Sequence, residues 1–402
     1  MMEKRSILIF GAGKIGRSFI GQLFGLSGYE VVFSDIDREL VDLLNRRRSY
    51  CIVIKGEKEE QLWIPHVRAI NGSEEQTVAD EISRTSIMAV SVGKNALGTI
   101  IPNIAKGVVK RFQHHRDHPL DIIIAENMRS AHEYMYRELQ KNLPQGFPID
   151  SYVGLIETSI GKMVPIMTAE EIKEDPLQLF AEPYNQLILD KKGFKNPIPD
   201  VEGLSPKENI KAWVDRKAFI HNLGHATAAY YGFFRHPEAT YLYEVLEDSD
   251  VLNFTKGVML ESAAILLKVY PDDFTQQELC DHIDELLLRF QNRSLKDTLF
   301  RVGQDIPRKL GPDDRFMGVI RLAIPLKMAY DKILKAMSYA FYFKGRDENG
   351  NRSEKDIFFE KILSQGIDNT LQKVCGMGAE EKELKNKCLY NINVVSSAAE
   401  SQ

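Results

Sequence analysis

Residues 6–35 have the sequence SILIFGAGKIGRSFIGQLFGLSGYEVVFSD, and this stretch decides the fold of the first half of the chain. It opens with a short apolar run that ends at Gly11, which is typical of a strand buried on both faces of a parallel sheet. Apolar residues then recur at helical spacing until Gly28, where we expect the helix to stop. A second apolar run follows and ends at Asp35. The pattern predicts strand, glycine turn, helix and strand, which together form one βαβ unit.

The glycine turn is suited to hold a dinucleotide. Gly11 permits a tight turn, Gly13 leaves room for a pyrophosphate, and Gly16 lets the helix pack closely on the strand. Asp35 follows Gly16 by about 20 residues, where a carboxylate accepts from the ribose hydroxyls and repels a 2′-phosphate. The alternatives are a purely structural turn, or NADP held by Arg38. The sequence favours NAD, bound by Gly11, Ala12, Gly13, Lys14, Ile15, Gly16 and Asp35.

Length and composition are those of an ordinary two-domain protein. The chain has 402 residues, of which 44% are hydrophobic and 27% are charged, and its net charge is −5. This apolar content is enough for real cores and excludes a mainly disordered chain. The negative charge gives no general attraction for nucleic acid or anionic membranes. We expect a small-molecule partner, and a monomer or small homo-oligomer.

The cysteines and the first residues bear on metal binding and on the compartment. Four cysteines are scattered without a C-x-x-C pair or a His at ligand spacing, so we expect neither a disulfide framework nor a bound metal. They are Cys51, Cys280, Cys375 and Cys388. Glycine interrupts the N-terminal apolar run too early for a signal peptide or a membrane span. The sequence predicts a cytoplasmic protein.

Further short apolar runs predict a doubly wound α/β sheet in the first half, with candidate strands at 51–54, 87–92, 121–125 and 152–157. Beyond a Pro-, Gly- and Lys-rich passage at 191–206, nearly every segment has helical periodicity. We expect a Rossmann-type NAD-binding domain over residues 1–205 and a mainly α-helical substrate and catalytic domain over residues 206–402. The predicted helices are 212–231, 241–270, 276–291, 321–343 and 356–365, with a loop at 344–355 and a frayed tail at 396–402.

A second group of polar residues lies in the helical half of the chain, in the stretch KAFIHNLGH, residues 217–225. In a regular helix, Asn222 is displaced about 140° from Lys217 and His225 about 80°, so all three lie over one broad side. This set suits metal-free alcohol oxidation, because a buried lysine takes the hydroxyl proton while amide and imidazole hold the reacting oxygen. The alternative is a solvated lysine with structural histidines. Gly224 also predicts a close neighbour such as a ring or backbone, since glycine costs a helix roughly 1 kcal/mol.

These residues fit a K-x4-N-x2-H pattern, and the chain resembles the long-chain polyol-specific dehydrogenases, closest to the branch that acts on mannitol 1-phosphate. Further matching segments follow in the family's order: residues 11–21, 90–93, 125–128, 213–217, 301–303, 308–310 and 313–315. The resemblance implies an NAD-dependent oxidoreductase that interconverts a polyol phosphate and a ketose phosphate, mannitol 1-phosphate and fructose 6-phosphate, by metal-independent hydride transfer.

The resemblance also implies roles for individual residues. Lys217 is the implied general base, and Asn222 and His225 orient the reacting oxygen. Asn127 is implied near both the reacting carbon and the cofactor, and Val92 and Gly93 beside the cofactor. For three basic residues a substrate-phosphate site and a solvated loop both remain open; they are Arg308, Lys309 and Arg315.

Two departures from the family pattern concern the substrate. The segment IGKMVP, residues 160–165, lacks the acid that the family commonly carries at the position of Gly161. His221 stands where the family usually has an apolar or small residue. If it reaches the cleft, a proton gained below neutrality would lower the pKa of Lys217, and its neutral ring could hydrogen-bond a substrate hydroxyl. The alternative is a structural His221 that packs against the other domain or faces water. Open alternatives are an unphosphorylated polyol, a sugar acid such as altronate or fructuronate, a β-hydroxyacid, and an NAD-binding sensor without turnover.

Overall fold

The computed structural model describes residues 5–56, 58–165 and 167–399. The chain divides into two compact units, Met1–Val214 and Asp215–Gln402. The first unit is α/β and the second is almost entirely helical, so the predicted fold class is confirmed. Within the described ranges, no helix is long and apolar enough to cross a membrane.

The first unit contains two sheets. The strands are β1 Ser6–Phe10, β2 Glu30–Asp35, β3 Tyr50–Lys55, β4 Glu59–Ile64, β5 Val67–Asn71, β6 Ile87–Val90, β7 Leu120–Ile124, β8 Val153–Ser159, β9 Leu179–Ala181, β10 Leu187–Asp190 and β11 Leu204–Lys207. Eight of them form one sheet in the order β11-β10-β8-β7-β6-β1-β2-β5, in which the β10–β8 pair is antiparallel. The others form a small sheet, β4-β3-β9.

The predicted strand at 51–54 therefore exists, but it belongs to the small sheet and not to the doubly wound one. Its apolar run could not reveal its partners, which are an adjacent strand and one that follows more than a hundred residues later in the chain. The end of the passage at 191–206, taken as a boundary, contributes to β11 and extends the main sheet.

The helices of the first unit cover the main sheet. They are α1 Gln22–Leu26, α2 Arg38–Arg47, α3 Glu75–Arg84, α4 Lys94–His114, α5 Ala131–Asn142, α6 Ile149–Tyr152 and α7 Ala169–Glu174, with a 3₁₀ turn at Lys191–Gly193. The helix after the glycine turn starts as a π-helical segment, Gly16–Gly21, and continues as α1. Because successive strand residues face opposite sides, Ile7 and Ile9 join one apolar cluster while Leu8 and Phe10 join the other.

The second unit is built around one helical run. The run starts with α8 Ile210–Arg216, of which only the last two residues belong to the second unit. It continues through a π-helical segment, Lys217–Asn222, and ends in α9 Leu223–Arg235. The following helices are α10 Leu242–Val245, α11 Ser249–Val269, α12 Gln276–Phe290, α13 Leu299–Gly303, α14 Ile306–Lys309, α15 Met317–Ala323, α16 Asp331–Tyr339, α17 Glu354–Leu363, α18 Ile367–Lys373 and α19 Lys382–Ala399. Short 3₁₀ turns lie at Arg293–Leu295, Ala340–Tyr342 and Ala379–Glu381.

Helix α9 packs on α10, α11, α13 and α16. Gly224 explains part of this packing, since a Cβ there would lie 2.4 Å from the Met259 sulfur of α11. The predicted close neighbour of Gly224 is thus a thioether. Three predictions need correction: 241–270 and 321–343 are each interrupted, and residues 396–399 continue α19 instead of fraying. The rest of the predicted tail, 400–402, lies outside the described residues, as do residues 1–4.

The contact between Gly16 and Gly11 gives a test of the packing at the glycine turn. A Cβ at Gly16 would lie 2.0 Å from the Gly11 carbonyl oxygen, whereas a Cβ at Gly13 would meet no described atom within 4 Å. Gly16→Ala should therefore destabilise the protein by roughly 1–3 kcal/mol through forced backbone movement. Thermal denaturation should show a Tm lower by several degrees for Gly16→Ala and nearly unchanged for the matched control Gly13→Ala. Equal Tm values for the two variants would contradict this packing.

Candidate active site

The glycine turn has the shape of a phosphate-binding loop. Gly11 adopts φ +91°, in the left-handed region, and a Cβ there would lie 2.5 Å from the Ser91 carbonyl oxygen. Gly16 packs on Gly11, so these two glycines are required by the protein itself. Gly13 is different, because its open side leaves space for a ligand to approach the backbone. The turn therefore fits a bound pyrophosphate.

Asp35 lies at the end of β2, close to this turn. Its Oδ2 accepts a hydrogen bond from the Ala12 N–H at 2.7 Å, and its Oδ1 accepts from the Asp37 N–H at 3.0 Å. Asp37 begins α2 with a second carboxylate, and Arg38, the first residue of that helix, is exposed. Two acids beside the turn favour a ribose with a free 2′-hydroxyl over a 2′-phosphate.

The ends of β6 and β7 are tied together by a buried acid. Glu126 Oε1 accepts from the Gly93 N–H at 2.9 Å, and Gly93 adopts φ +86°. Burial raises the pKa of Glu126, although hydrogen bonds from the Gly93 and Val92 backbone oppose the shift. Glu126 therefore has a structural role at this edge. Asn127 is exposed directly after it, so the implied cofactor residues Val92, Gly93 and Asn127 share one edge of the sheet.

In the helical unit, the π-helical segment changes the expected arrangement of the polar set. A π turn joins residues five apart, so Asn222 lies about one turn from Lys217 and not 140° around the helix. The correction arises because the angular prediction assumed a regular α-helix. The Asn222 carbonyl accepts from Arg315 Nη1 at 3.1 Å. The π geometry therefore puts the positions of Lys217 and Asn222 on the same side of the helix.

Lys217 has the electrostatic environment of a base. It is half-buried, and burial, followed by the charges of Arg315 and Arg308, lowers the pKa of Lys217 to about 8. Both effects act against the ammonium form. At physiological pH a minority of this lysine is consequently neutral and able to accept a proton, a far larger share than for an ordinary lysine with a pKa of about 10.4.

His225 has a buried ring nitrogen, Nε2, that makes no hydrogen bond among the described residues and has one acid nearby, Asp297 Oδ2 at 3.5 Å. The His225 ring stacks on Phe290 with centroids 4.6 Å apart. Burial, with the charge of Arg301 next, holds the pKa of His225 well below its ordinary value. The ring is therefore neutral and can hydrogen-bond a substrate oxygen.

His221 is buried, with its ring 5.6 Å from Phe290 and 6.1 Å from His225. Burial, reinforced by Arg289, holds its pKa well below the ordinary histidine value. This direction disfavours a proton gained just below neutrality, and a contact of the neutral ring with the substrate stays a prediction. The ring neither faces water nor carries a charge near neutrality.

Asp297 belongs to this site but was not found from the sequence. It is buried, its Oδ2 lies 3.5 Å from His225 Nε2, and it pairs with Arg301. The signal was present, because Asp297 and Arg301 are four residues apart at the start of α13, a spacing typical of ion pairs. Among the described residues, no three His, Cys, Asp or Glu side chains are grouped so as to hold a metal ion.

The three basic candidates have different environments. Lys309 is buried and donates to the carbonyls of Val302 and Gln304. Arg315 is buried between Asp314, at 2.9 Å, and the Asn222 carbonyl. A solvated loop is therefore the wrong description for both. Of these three basic residues, only Arg308 has a side chain that is about half exposed to solvent.

A Rossmann-type sheet with an open glycine turn, followed by a helical unit with a buried lysine, defines the class of two-domain dehydrogenases. Family models match both parts: the mannitol dehydrogenase Rossmann domain over residues 5–203 and the mannitol dehydrogenase C-terminal domain over residues 209–391. The chain belongs to the mannitol dehydrogenase family. The predicted family and enzyme class, NAD-dependent polyol dehydrogenases, are thereby confirmed.

Individual relatives agree with this assignment. Mannitol-1-phosphate 5-dehydrogenase of Buchnera aphidicola (Acyrthosiphon pisum, strain APS) is 31% identical over 96% of this chain and 98% of its own. The enzyme of the same name from Streptococcus mutans is 32% identical over 88% of this chain and 91% of its own. Mannitol 2-dehydrogenase of Pseudomonas fluorescens, solved with NAD and D-mannitol, has the same fold, with a TM-score of 0.72 at 15% identity over 100% of this chain and 94% of its own.

The two acids beside the glycine turn predict cofactor preference. Wild type should have a higher kcat/KM with NAD than with NADP, and Asp35→Ser should relax this preference more than it lowers kcat, because the contact is remote from hydride transfer. Asp35→Asn is the matched control, since it keeps an oxygen for the Ala12 N–H but loses the charge. Both variants should relax the preference. If only Asp35→Ser relaxed the cofactor preference, the effect would come from a disturbed glycine turn and not from the loss of the negative charge.

Proposed function

We propose that this protein interconverts mannitol 1-phosphate and fructose 6-phosphate with NAD as cofactor, and that Lys217 is the general base. Residues 1–205 bind the cofactor in this proposal, and residues 206–402 bind the substrate. The observation that carries the proposal is the low pKa of Lys217, about 8, in a segment that also carries Asn222 and His225. The near-full-length similarity to two mannitol-1-phosphate 5-dehydrogenases supports the choice of substrate.

The proposed chemistry assigns one task to each side chain. Neutral Lys217 takes the hydroxyl proton during oxidation and returns it during reduction. His225 Nε2, which has no hydrogen-bond partner among the described residues, and the Asn222 amide hold the reacting oxygen. NAD, when bound, accepts the hydride from the carbinol carbon, and the residues that would hold it are those of the glycine turn and Asp35.

The low pKa of Lys217 predicts the pH dependence of the reaction. Because oxidation needs the neutral amine, kcat/KM for polyol oxidation should rise with pH and level off above about 8. Because reduction needs the ammonium form, kcat/KM for ketose reduction should fall above the same pH. Lys217→Ala should lower kcat by ~10²–10⁴-fold, while Lys268→Ala, an exposed control on α11, should not.

Both profiles can be recorded by NADH absorbance from pH 6 to 10. A Lys217→Ala protein that folds and keeps wild-type kcat would remove the lysine from the mechanism. An inflection that stays in place in that variant would assign the titration to another group.

The substrate is tested by a panel of mannitol 1-phosphate, free mannitol and altronate with NAD. A charge-assisted phosphate contact contributes roughly 1.5–3 kcal/mol, or about tenfold to a hundredfold in kcat/KM. We expect the phosphorylated polyol to be preferred by this factor. Equal turnover of free mannitol or of altronate would support an unphosphorylated polyol or a sugar acid instead.

A further inference from the structure

The helical unit contains a cavity of about 510 Å³ beside α14 and the start of α17. Its size lies within the usual range of small-molecule sites. Four of its lining side chains are basic and two are acidic, so the cavity is suited to an anion. The lining residues are Arg301, Gln304, Asp305, Arg308, Lys309, Ser353, Glu354 and Lys355.

Two basic side chains from different helices converge in this cavity. Arg308 Nε, from α14, lies 2.8 Å from Asp305 Oδ2, and Lys355 Nζ, from α17, lies 2.9 Å from the same oxygen. Arg308 is 48% exposed and Lys355 is 67% exposed. The shared carboxylate fixes two accessible cations next to each other.

The backbone conformation of Asp305, the residue that holds both cations, is unusual. Asp305 adopts φ +66°, a left-handed conformation that is uncommon for a residue with a side chain and that is often found at functional sites. Burial alone would raise its pKa, but hydrogen bonds from Arg308 and Lys355 outweigh burial and hold the pKa of Asp305 below its ordinary value. Asp305 is therefore a carboxylate that holds both cations.

Donors remain for a ligand after these contacts. A guanidinium has five N–H groups and an ammonium three, and Asp305 accepts only one from each. Ser353 precedes α17 without capping it through its side chain, so its hydroxyl also lies at the cavity. Tetrahedral oxyanions match this set, because they accept several charge-assisted hydrogen bonds at once.

Arg308 connects the cavity to the proposed base, because Asp314 accepts from both Arg308 and Arg315, and Arg315 donates to the Asn222 carbonyl at the end of the segment that begins with Lys217. An anionic group in the cavity would consequently lie near the reacting end of the site. Lys309 and Arg315 are less available to bind an anion than Arg308, because both are buried. Lys309 donates to backbone carbonyls, and Arg315 donates to Asp314 and to the Asn222 carbonyl.

We propose that this cavity binds the phosphate monoester of the substrate, with Arg308 and Lys355 as its charged ligands and Ser353 as a neutral one. This inference rests on the proposed function and assigns its phosphate specificity to particular residues. Ser353 and Lys355 both lie within residues 344–355, for which the sequence predicted only a connecting loop.

The test compares reduction of fructose 6-phosphate and of fructose by NADH in Lys355→Ala, Arg308→Ala and the matched control Lys361→Ala. Lys361 is exposed on the same helix but away from the cavity lining. The ratio of the two kcat/KM values should fall about tenfold in Lys355→Ala, by at least as much in Arg308→Ala, and not in Lys361→Ala. Inorganic phosphate should compete with fructose 6-phosphate in wild type and more weakly in Lys355→Ala.

The outcomes separate this inference from the proposed function. A wild-type enzyme without preference for fructose 6-phosphate would overturn both. A wild-type preference that both cavity variants retain would overturn only the assignment of the cavity. Phosphate inhibition that is weakened in Lys355→Ala but not competitive with fructose 6-phosphate would identify a site for free phosphate and also overturn the assignment to the substrate.

Discussion

One electrostatic constraint underlies the chemistry proposed for the helical unit: a half-buried lysine experiences the charges of two arginines. Burial and the charges of Arg315 and Arg308 both disfavour the ammonium form of Lys217 and lower its pKa to about 8. Such a group of cations needs carboxylates to hold its members in place. Asp314 accepts from Arg315 Nε at 2.9 Å and from Arg308 Nη1 at 3.4 Å. Folding thus fixes the positions of the two arginines, and these positions set the basicity of the lysine.

Each unit has a π-helical segment at its functional stretch, and in each unit side chains from elsewhere stabilise it. A π turn interrupts the regular α-helical hydrogen bonds, so carbonyls in it seek other donors. In Gly16–Gly21, the Arg17 carbonyl accepts from the Tyr50 hydroxyl at 2.7 Å. In Lys217–Asn222, the Phe219 carbonyl accepts from the Ser262 hydroxyl at 2.5 Å, and Arg315 bonds the Asn222 carbonyl. Arg315 therefore has two effects: its charge lowers the pKa of Lys217, and its hydrogen bond satisfies the backbone carbonyl of Asn222.

The sequence pattern correctly predicted those parts of the fold that depend on residues close together in the chain. The first βαβ unit, with its glycine turn and Asp35, has the predicted order because glycine conformation and strand burial are set within about thirty residues. Helix interruptions were missed where apolar periodicity continues across them: Asp248 caps a new helix inside 241–270, and Pro325 lies within 321–343. The spacing of Lys217, Asn222 and His225 suggested the proposed catalytic set, but the π turn, the burial of Lys309 and the contact of Asp297 with His225 depend on tertiary packing. No single-sequence periodicity reports such packing.

At residues 160–165, where the sequence departs from the family pattern, the packing of the chain can be considered separately from the loss of the family acid. A Cβ at Gly161 would lie 3.6 Å from the Tyr184 ring, which is ordinary van der Waals contact, so the backbone does not require glycine there. The next residue is constrained: Lys162 is buried, and its Nζ donates to Gln22 and Asn185, each at 3.0 Å. Gln22 begins α1, so Lys162 ties this segment to the helix that follows the glycine turn. The segment thus keeps its structural anchor where the family acid is missing. A side chain could be accommodated at Gly161, so the fold itself does not require the absence of the acid at this position.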